Sequence, residues 1–341
     1  MHFLVPEGID DPRRPSGGNV YDRRVSDGLR ALGWSVQEHA VAGQWTQPDA
    51  AARSAVGAAL ARVPEGGLVL VDGLIASVVP EVLEPEADRV RLVVLLHMPR
   101  DEAREFAALS AASAIVATSD WTRQWVLDHY ALPKDRLYVV RPGADVADLA
   151  AGSPSGGRLL CVGAITRTKR PDVLLDALAM VDGPAWRCDF VGALDLEVEF
   201  ADGLRRQAKE LGLADRVCFN GPLTGVELER AYAAADVLVL ASQAETYGMV
   251  VTEALARGLP VVATEVGGVP EALGYTGDGC RPGLLVAPDD PQALAQALRR
   301  WLGDPLERDR LRVAARARRL TLSDWSQTSR ELSDVLSEVD G

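Results

Sequence analysis

Lysine is nearly absent from this chain: Lys134, Lys169 and Lys209 are the three lysines among 36 basic side chains. Basic charge as a whole is outweighed, with a net charge of -13 and a pI near 4.9. A surface of that sign repels phosphate backbones, which argues against nucleic acid as a partner. The acid excess is evenly spread: residues 1–155 hold 15 basic against 21 acidic side chains, a net of -6, which leaves -7 for the remainder. Neither half is a basic membrane-docking face on net charge. No apolar run approaches the roughly 18 residues needed to span a bilayer. The amino terminus shows no basic region followed by a signal-like apolar core, so a cytoplasmic location and no integral membrane segment are expected. Four cysteines, Cys161, Cys188, Cys218 and Cys280, lack metal-ligand spacing and read as buried free thiols. No Gly-x-Gly-x-x-Gly opens either half, which argues against a nicotinamide oxidoreductase.

What is present is enough for two ordinary domains: 341 residues, 48% of them hydrophobic. Apolar strand-like runs alternate with helix-like segments, the pattern of parallel α/β layers. In the first half the expected strands are His2 to Pro6, Leu68 to Asp72, Arg91 to His97, Ala114 to Thr118 and Leu137 to Val140. The segment Ala150-Ala-Gly-Ser-Pro-Ser-Gly-Gly157 has linker composition, and Arg158 to Val162 opens a second sheet. The expected division is residues 1–152, residues 153–320 and a terminal amphipathic helix within 321–341 that carries Trp325, Leu332, Leu336 and Val339 at helical spacing. Two similar nucleotide-fold domains facing a cleft, with hinge closure, is the expectation.

The most informative stretch is Glu245-Thr-Tyr-Gly-Met-Val-Val-Thr-Glu253, between the strand-like runs Asp236 to Ala241 and Leu259 to Thr264. Two carboxylates eight positions apart bracket Gly248, where a helix should begin, so acceptor groups stand beside free backbone amides. Carboxylates suit sugar hydroxyls, and amides suit phosphates. From Gly248, Glu253 lies about 7 to 8 Å along the helix axis at 1.5 Å per residue, so the two acids can hold different parts of one extended ligand. A nucleoside diphosphate sugar has that layout, and the loop-to-helix corner at the carboxyl edge of a parallel sheet is where it would sit.

With this stretch, Glu265-Val-Gly-Gly-Val-Pro-Glu271, Gly283-Leu-Leu-Val-Ala-Pro-Asp289, Val139-Val-Arg-Pro-Gly-Ala-Asp145 and Val162-Gly-Ala-Ile-Thr-Arg-Thr-Lys169, the chain resembles the retaining glycosyltransferases of family 4 (glycosyl transferases group 1), over nearly its whole length. The resemblance implies a GT-B fold: α/β, two Rossmann-like domains facing a cleft, the first for the acceptor and the second for the donor, with the last helix packed back on the first. It implies that Glu245 contacts donor-sugar hydroxyls and that Glu253 holds the ribose. Thr246, Tyr247, Gly248, Met249 and Val250, between them, complete the expected donor contacts. Sugar would pass from a nucleotide diphosphate sugar of UDP or GDP type to an acceptor hydroxyl with retention of configuration. No other cofactor and no metal are expected.

Lys169, in the first strand-to-helix loop of the second half, is the phosphate candidate, since an ammonium there stabilises the departing diphosphate. Relatives usually carry an arginine directly after the loop's first glycine, where this chain has Ala164. Arg167 is the expected substitute and Arg170 the alternative. In the first half, Pro15-Ser-Gly-Gly-Asn19 follows the first strand, and Gly17 and Gly18 leave amides open to approach. His97 ends a strand at the same sheet edge, and the resemblance places it near the donor sugar. The expected catalytic set is His97, Lys169 and Glu245. Ser119 and Asp120 read as a helix cap. A small soluble acceptor is preferred, with a natural-product core or a lipid as alternatives. A nucleotide-sugar epimerase of the same fold and a sugar-nucleotide-binding protein without turnover are the rival functions.

Overall fold

The computed structural model describes residues 1–183 and 185–341. The chain divides into two compact units, one of residues Met1–Asp10, Gly18–Gly143 and Ser323–Gly341, the other of Asp11–Gly17 and Ala144–Leu322.

The first unit is built on six parallel strands: β1 (His2–Pro6), β2 (Gln37–Val41), β3 (Leu68–Asp72), β4 (Arg91–Leu96), β5 (Ala114–Ala117) and β6 (Leu137–Val139), in the order β2-β1-β3-β4-β5-β6. Inner strands read as continuous apolar runs because both faces are covered. Leu4, Val69, Val71, Leu92, Val94 and Leu96 enter one core. Phe3, Val5, Leu68, Leu70, Val93 and Leu95 alternate with them into the other. The helix Gly17–Ala31 packs Tyr21, Val25 and Leu29 into that second core, beside Leu332 and Leu336 of the helix Trp325–Asp340. Trp34 Nε1 donates to Ser333 Oγ at 2.9 Å, a further tie to the last helix. Ser119 caps the helix Asp120–Tyr130, its Oγ accepting from the Thr122 amide at 3.0 Å.

The second unit repeats the plan with β7 (Arg158–Val162), β8 (Arg187–Val191), β9 (Val217–Gly221), β10 (Val237–Leu240), β11 (Val261–Thr264) and β12 (Gly283–Val286), in the order β12-β11-β10-β7-β8-β9. This is the doubly wound order, in which the chain leaves β7 in one direction and returns through β10 in the other. The glycine- and serine-rich segment 150–157 is fastened to this unit. The Ala150 amide donates to the Arg257 carbonyl at 2.9 Å, and Ser153 Oγ and the Arg158 amide donate to Asp236 Oδ2 at 2.6 and 2.9 Å. Cys161 and Cys188 are buried, but Cys218 is exposed. Its strand is an edge strand with one face open, which corrects the reading of a buried thiol.

Gly28 marks a close approach of two helices, since a Cβ there would lie 1.9 Å from Ser329 Oγ and 2.6 Å from Ser329 Cβ. Overpacking of this kind costs about 1–3 kcal/mol. Gly28→Ala will therefore lower the denaturation midpoint, and adding Ser329→Gly will restore most of the loss. An unchanged midpoint for Gly28→Ala alone contradicts this packing.

Candidate donor site at the strand-order reversal

The second sheet reverses its strand order between β7 and β10, so the loops that follow these neighbours diverge and leave a crevice at the carboxyl edge. Lys169 stands on the first loop and Glu245 on the second. Lys169 Nζ donates to Glu245 Oε1 at 2.6 Å, and Ser242 Oγ donates to the same oxygen at 2.8 Å. Glu245 is buried, with its partner lysine partly open to solvent. A buried carboxylate needs such a partner, because an unpaired charge in that setting carries a large desolvation penalty.

Backbone packing fixes both loops. The amides of Gly163 and Ile165 donate to the carbonyls of Val191 and Ala193, each at 2.9 Å. A Cβ on Gly192 would lie 1.9 Å from the Gly163 carbonyl oxygen, so only glycine permits that approach. The Gln243 amide donates to the Thr168 carbonyl at 2.8 Å, which ties the two loops together. Below them, Thr264 Oγ1 at the end of β11 donates to the Ser242 carbonyl at 2.5 Å. Gly267 and Gly268 press against the backbone of residues 245–247: a Cβ on Gly267 would stand 1.6 Å from the Glu245 carbonyl oxygen. That contact is the physical reason for a glycine pair in the stretch 265–271.

Gly248 takes φ +87 and caps the helix Met249–Ala256, which has no side-chain cap. The Met249 and Val250 amides precede the first helical bond, from the Val251 amide to the Gly248 carbonyl at 2.8 Å. They point out of the helix end with its partial positive charge. Farther along the same helix, Glu253 Oε2 accepts from the Tyr232 hydroxyl at 2.7 Å. Arg257 lies over the Tyr232 ring at 4.4 Å and donates to the Glu253 carbonyl at 2.7 Å. Burial raises the Glu253 carboxyl above its ordinary range, with the Tyr232 bond and the Arg257 charge opposing the shift. Cys161, on β7 beneath this corner, is pushed up to about 12 by burial, against the nearby Lys169 charge.

The two arginines considered for the phosphates are held elsewhere. Arg167 lies 4.8 Å over the Phe200 ring and pairs with Glu197 at 3.4 Å. Arg170, in the left-handed conformation before the helix Pro171–Ala179, pairs with Asp172 at 3.1 Å and with Asp289. The structure thus brings Lys169 and Glu245 together, sets Gly248, Met249 and Val250 at the adjoining helix start, and leaves both arginines in other pairs.

Gly17, the last residue of the stretch 11–17 that belongs to the second unit, and Gly18, in the first, open the helix Gly17–Ala31, and a Cβ on Gly18 would meet the His97 ring at 3.3 Å. His97 follows β4, its Nε2 2.7 Å from Asp22 Oδ1. The Tyr21 ring meets it edge-on at 5.3 Å. Burial lowers His97 from its ordinary value. Burial also lifts Asp22 to about 7, with a hydrogen bond to Asp72 opposing, and drives Asp72 well above the usual carboxylate range.

Residues 154–318 match the family described as glycosyl transferases group 1. The chain is 35% identical over 244 residues to a D-inositol 3-phosphate glycosyltransferase of Frankia alni, covering 66% of this chain and 59% of that protein. A protein of the same name from Streptomyces avermitilis is 33% identical over 250 residues, covering 68% of this chain and 53% of that one. The chain thus spans little more than half the length of the curated relatives it matches. Among solved structures, sucrose-phosphate synthase from Thermosynechococcus elongatus superposes with a TM-score of 0.80 at 22% identity, covering 99% and 98% of the two chains. Anabaena HepE in complex with UDP-glucose gives 0.77 at 21% identity, covering 99% of each chain. Two six-stranded parallel sheets of this order define the GT-B fold class. Within that class, residues 154–318 form a domain of the glycosyl transferases group 1 family.

Because the folded state raises the Glu253 carboxyl, it favours the proton there more than the unfolded chain does. Stability from this group therefore falls as pH rises through the ordinary carboxylate range and stays low above the raised value, by about 1.4 kcal/mol per unit of displacement. Glu253→Gln cannot ionise and keeps an acceptor for Tyr232. Denaturant titrations should show the variant gaining on wild type between pH 4 and pH 8; a variant that loses ground over that range contradicts this.

Proposed function

We propose that the chain is a retaining glycosyltransferase that moves a sugar from a nucleoside diphosphate sugar to a hydroxyl of a small soluble acceptor. The Lys169–Glu245 pair, beside a helix start without a side-chain cap at the strand-order reversal, carries this reading. Anion and polyol recognition are placed side by side there, as a sugar diphosphate requires.

In this reading Lys169 Nζ and the Met249 and Val250 amides hold the diphosphate and stabilise its charge as the glycosidic bond breaks. Glu245 accepts hydrogen bonds from donor-sugar hydroxyls, with Ser242 and Lys169 fixing its orientation. Glu253 receives the ribose hydroxyls, held in place by Tyr232. Thr246 and Tyr247 continue the donor contacts, and Gly17 and Gly18 offer backbone amides. His97 serves the donor sugar. The acceptor oxygen attacks from the face that the diphosphate leaves, and the departing phosphate oxygen takes its proton, so no carboxylate nucleophile enters. Lys169 and the helix amides supply the charge stabilisation at the diphosphate without a metal.

The complexes of the Anabaena protein with UDP-glucose and with UDP favour a uridine donor. The names of the curated relatives favour a phosphorylated polyol among small acceptors. A second reading, donor binding without turnover, is favoured by one observation: Ala164 supplies no guanidinium, and Arg167 and Arg170 are committed to Glu197, Asp172 and Asp289.

Calorimetry with UDP, GDP, ADP and TDP against wild type, Lys169→Ala and Glu253→Ala tests the site. One base should be preferred by wild type, with binding weakened at least tenfold in both variants. With donor and an acceptor panel, Lys169→Ala should lose about 100- to 1,000-fold in kcat, the scale of a lost charge-stabilising donor. The product should keep the donor's anomeric configuration by NMR. Nucleotide binding that ignores both substitutions contradicts the site assignment. Binding without turnover selects the second reading, and a rearranged nucleotide sugar formed without acceptor selects an epimerase.

A further inference from the structure

The first sheet also reverses its strand order, between β1 and β3. Three side chains converge there from three elements: Asp22 from the helix after β1, Asp72 from the end of β3, and His97 from just after β4. One side-chain oxygen or nitrogen of each lies within 4.8 Å of the others. Asp22 is 0% exposed and Asp72 2% exposed. Among the described residues no lysine or arginine pairs with either carboxyl, and Arg23, next in sequence to Asp22, pairs with Asp10 and Glu38. Two ionised carboxylates enclosed side by side without a cation repel each other where each charge is already costly. At least one of them is therefore protonated.

Hydrogen bonding decides which one. Asp22 Oδ1 lies 2.7 Å from His97 Nε2, and Asp72 Oδ1 accepts from the Leu74 amide at 2.5 Å. Asp22 Oδ2 is buried, and no N–H or hydroxyl reaches it. A buried acceptor in a native fold finds a donor. The neighbour left to Asp22 is the Asp72 carboxyl, which can donate only when protonated. Burial acts in the same direction, lifting Asp22 to about 7 and Asp72 well above the usual carboxylate range. An O–H on Asp72 and an N–H on His97 supply the two donors that Asp22 needs, and leave Asp22 as the single negative charge of the three.

We propose that Asp22 and Asp72 share one proton and act as a positioning pair that holds His97 in the neutral tautomer with hydrogen on Nε2, leaving Nδ1 as an acceptor for a ligand hydroxyl. Which nitrogen of a histidine carries the hydrogen is set by the bond the other makes or receives. Here the Asp72 O–H donates to Asp22 Oδ2 and the His97 Nε2–H donates to Asp22 Oδ1, so both contacts are satisfied without a further proton. Burial, which lowers His97 from its ordinary value, keeps the ring neutral and its second nitrogen a lone pair. The ring is also confined: Tyr21 meets it edge-on at 5.3 Å, and Gly18 lies against it where a Cβ would stand 3.3 Å away. Its side chain keeps 17% exposure, which leaves an opening for a ligand. The role rests on the reading that His97 serves the donor sugar, and it adds two residues that act through that ring without touching the sugar.

Nitrogen-15 NMR of the histidine rings in the full, ligand-free chain tests the tautomer without any substrate, with His97 assigned by its loss in His97→Gln. At pH 8 the ring should be neutral with hydrogen on Nε2; a ring with hydrogen on Nδ1, or an imidazolium, overturns the proposal. The infrared difference between wild type and Asp72→Asn should contain a protonated-carboxyl band from wild type, and a difference without that band also overturns it. In turnover, Asp72→Ala should lose at least about tenfold in kcat with the donor KM within about threefold, the pattern of a misplaced group. Asp72→Asn, whose amide can donate to Asp22 as the protonated carboxyl does, should recover most of that loss and keep the Nε2 tautomer; a variant as impaired as Asp72→Ala overturns the proposal. Should Asp72→Ala fail to fold, the wild-type ring and the Asp72→Asn spectra decide the matter. If no donor is turned over the donor reading fails, whereas the ring and carboxyl spectra, taken on the free chain, still decide the pair.

Discussion

The second unit depends on the contact between Lys169 and Glu245. Each residue belongs to a loop that the sheet sends in a different direction, and the 2.6 Å pair ties those loops together. The backbone bond from Gln243 to Thr168 ties them as well. Glycine makes the pairing possible, because Gly192, Gly267 and Gly268 admit backbone where any Cβ would collide. The chemistry of the site is thus set by close backbone packing as much as by the two charged groups.

The two units handle buried acid differently. In the second, Glu245 has a lysine and Glu253 has a tyrosine hydroxyl and the nearby Arg257. In the first, Asp22 and Asp72 lie together with an imidazole and without a basic side chain among the described residues. Both acid clusters occupy the point where a parallel sheet reverses its strand order, where side chains from separate elements converge and ligands bind in folds of this kind.

Much of this was legible in the sequence, and the limits are physical. Inner strands such as Leu68–Asp72, Arg91–Leu96 and Val237–Leu240 announce themselves because burial on both faces demands unbroken apolar runs. The edge strands Gln37–Val41 and Val217–Gly221 were harder to read, since one open face admits polar residues that weaken the pattern. Lys169 and Glu245 stood out through scarcity and spacing. Ser242 and Thr264 are short polar residues at strand ends, a position that hints at a site without naming a role. Tyr232 and Arg257 meet Glu253 from elsewhere in the chain, and no local pattern shows that. Asp22 gives the least warning: it sits between Tyr21 and Arg23 on an amphipathic helix, and only the fold turns it inward.

Hydrogen–deuterium exchange with and without nucleotide tests the central claim, that the strand-order reversal of the second sheet is the donor site, most directly. Across UDP- and GDP-sugars, the account predicts slowed exchange in residues 163–169 and at the amides of Gly248, Met249 and Val250, with the core strand Val237–Leu240 unchanged. Protection centred on other loops, with these amides exchanging as before in the presence of a nucleotide that binds, would contradict it.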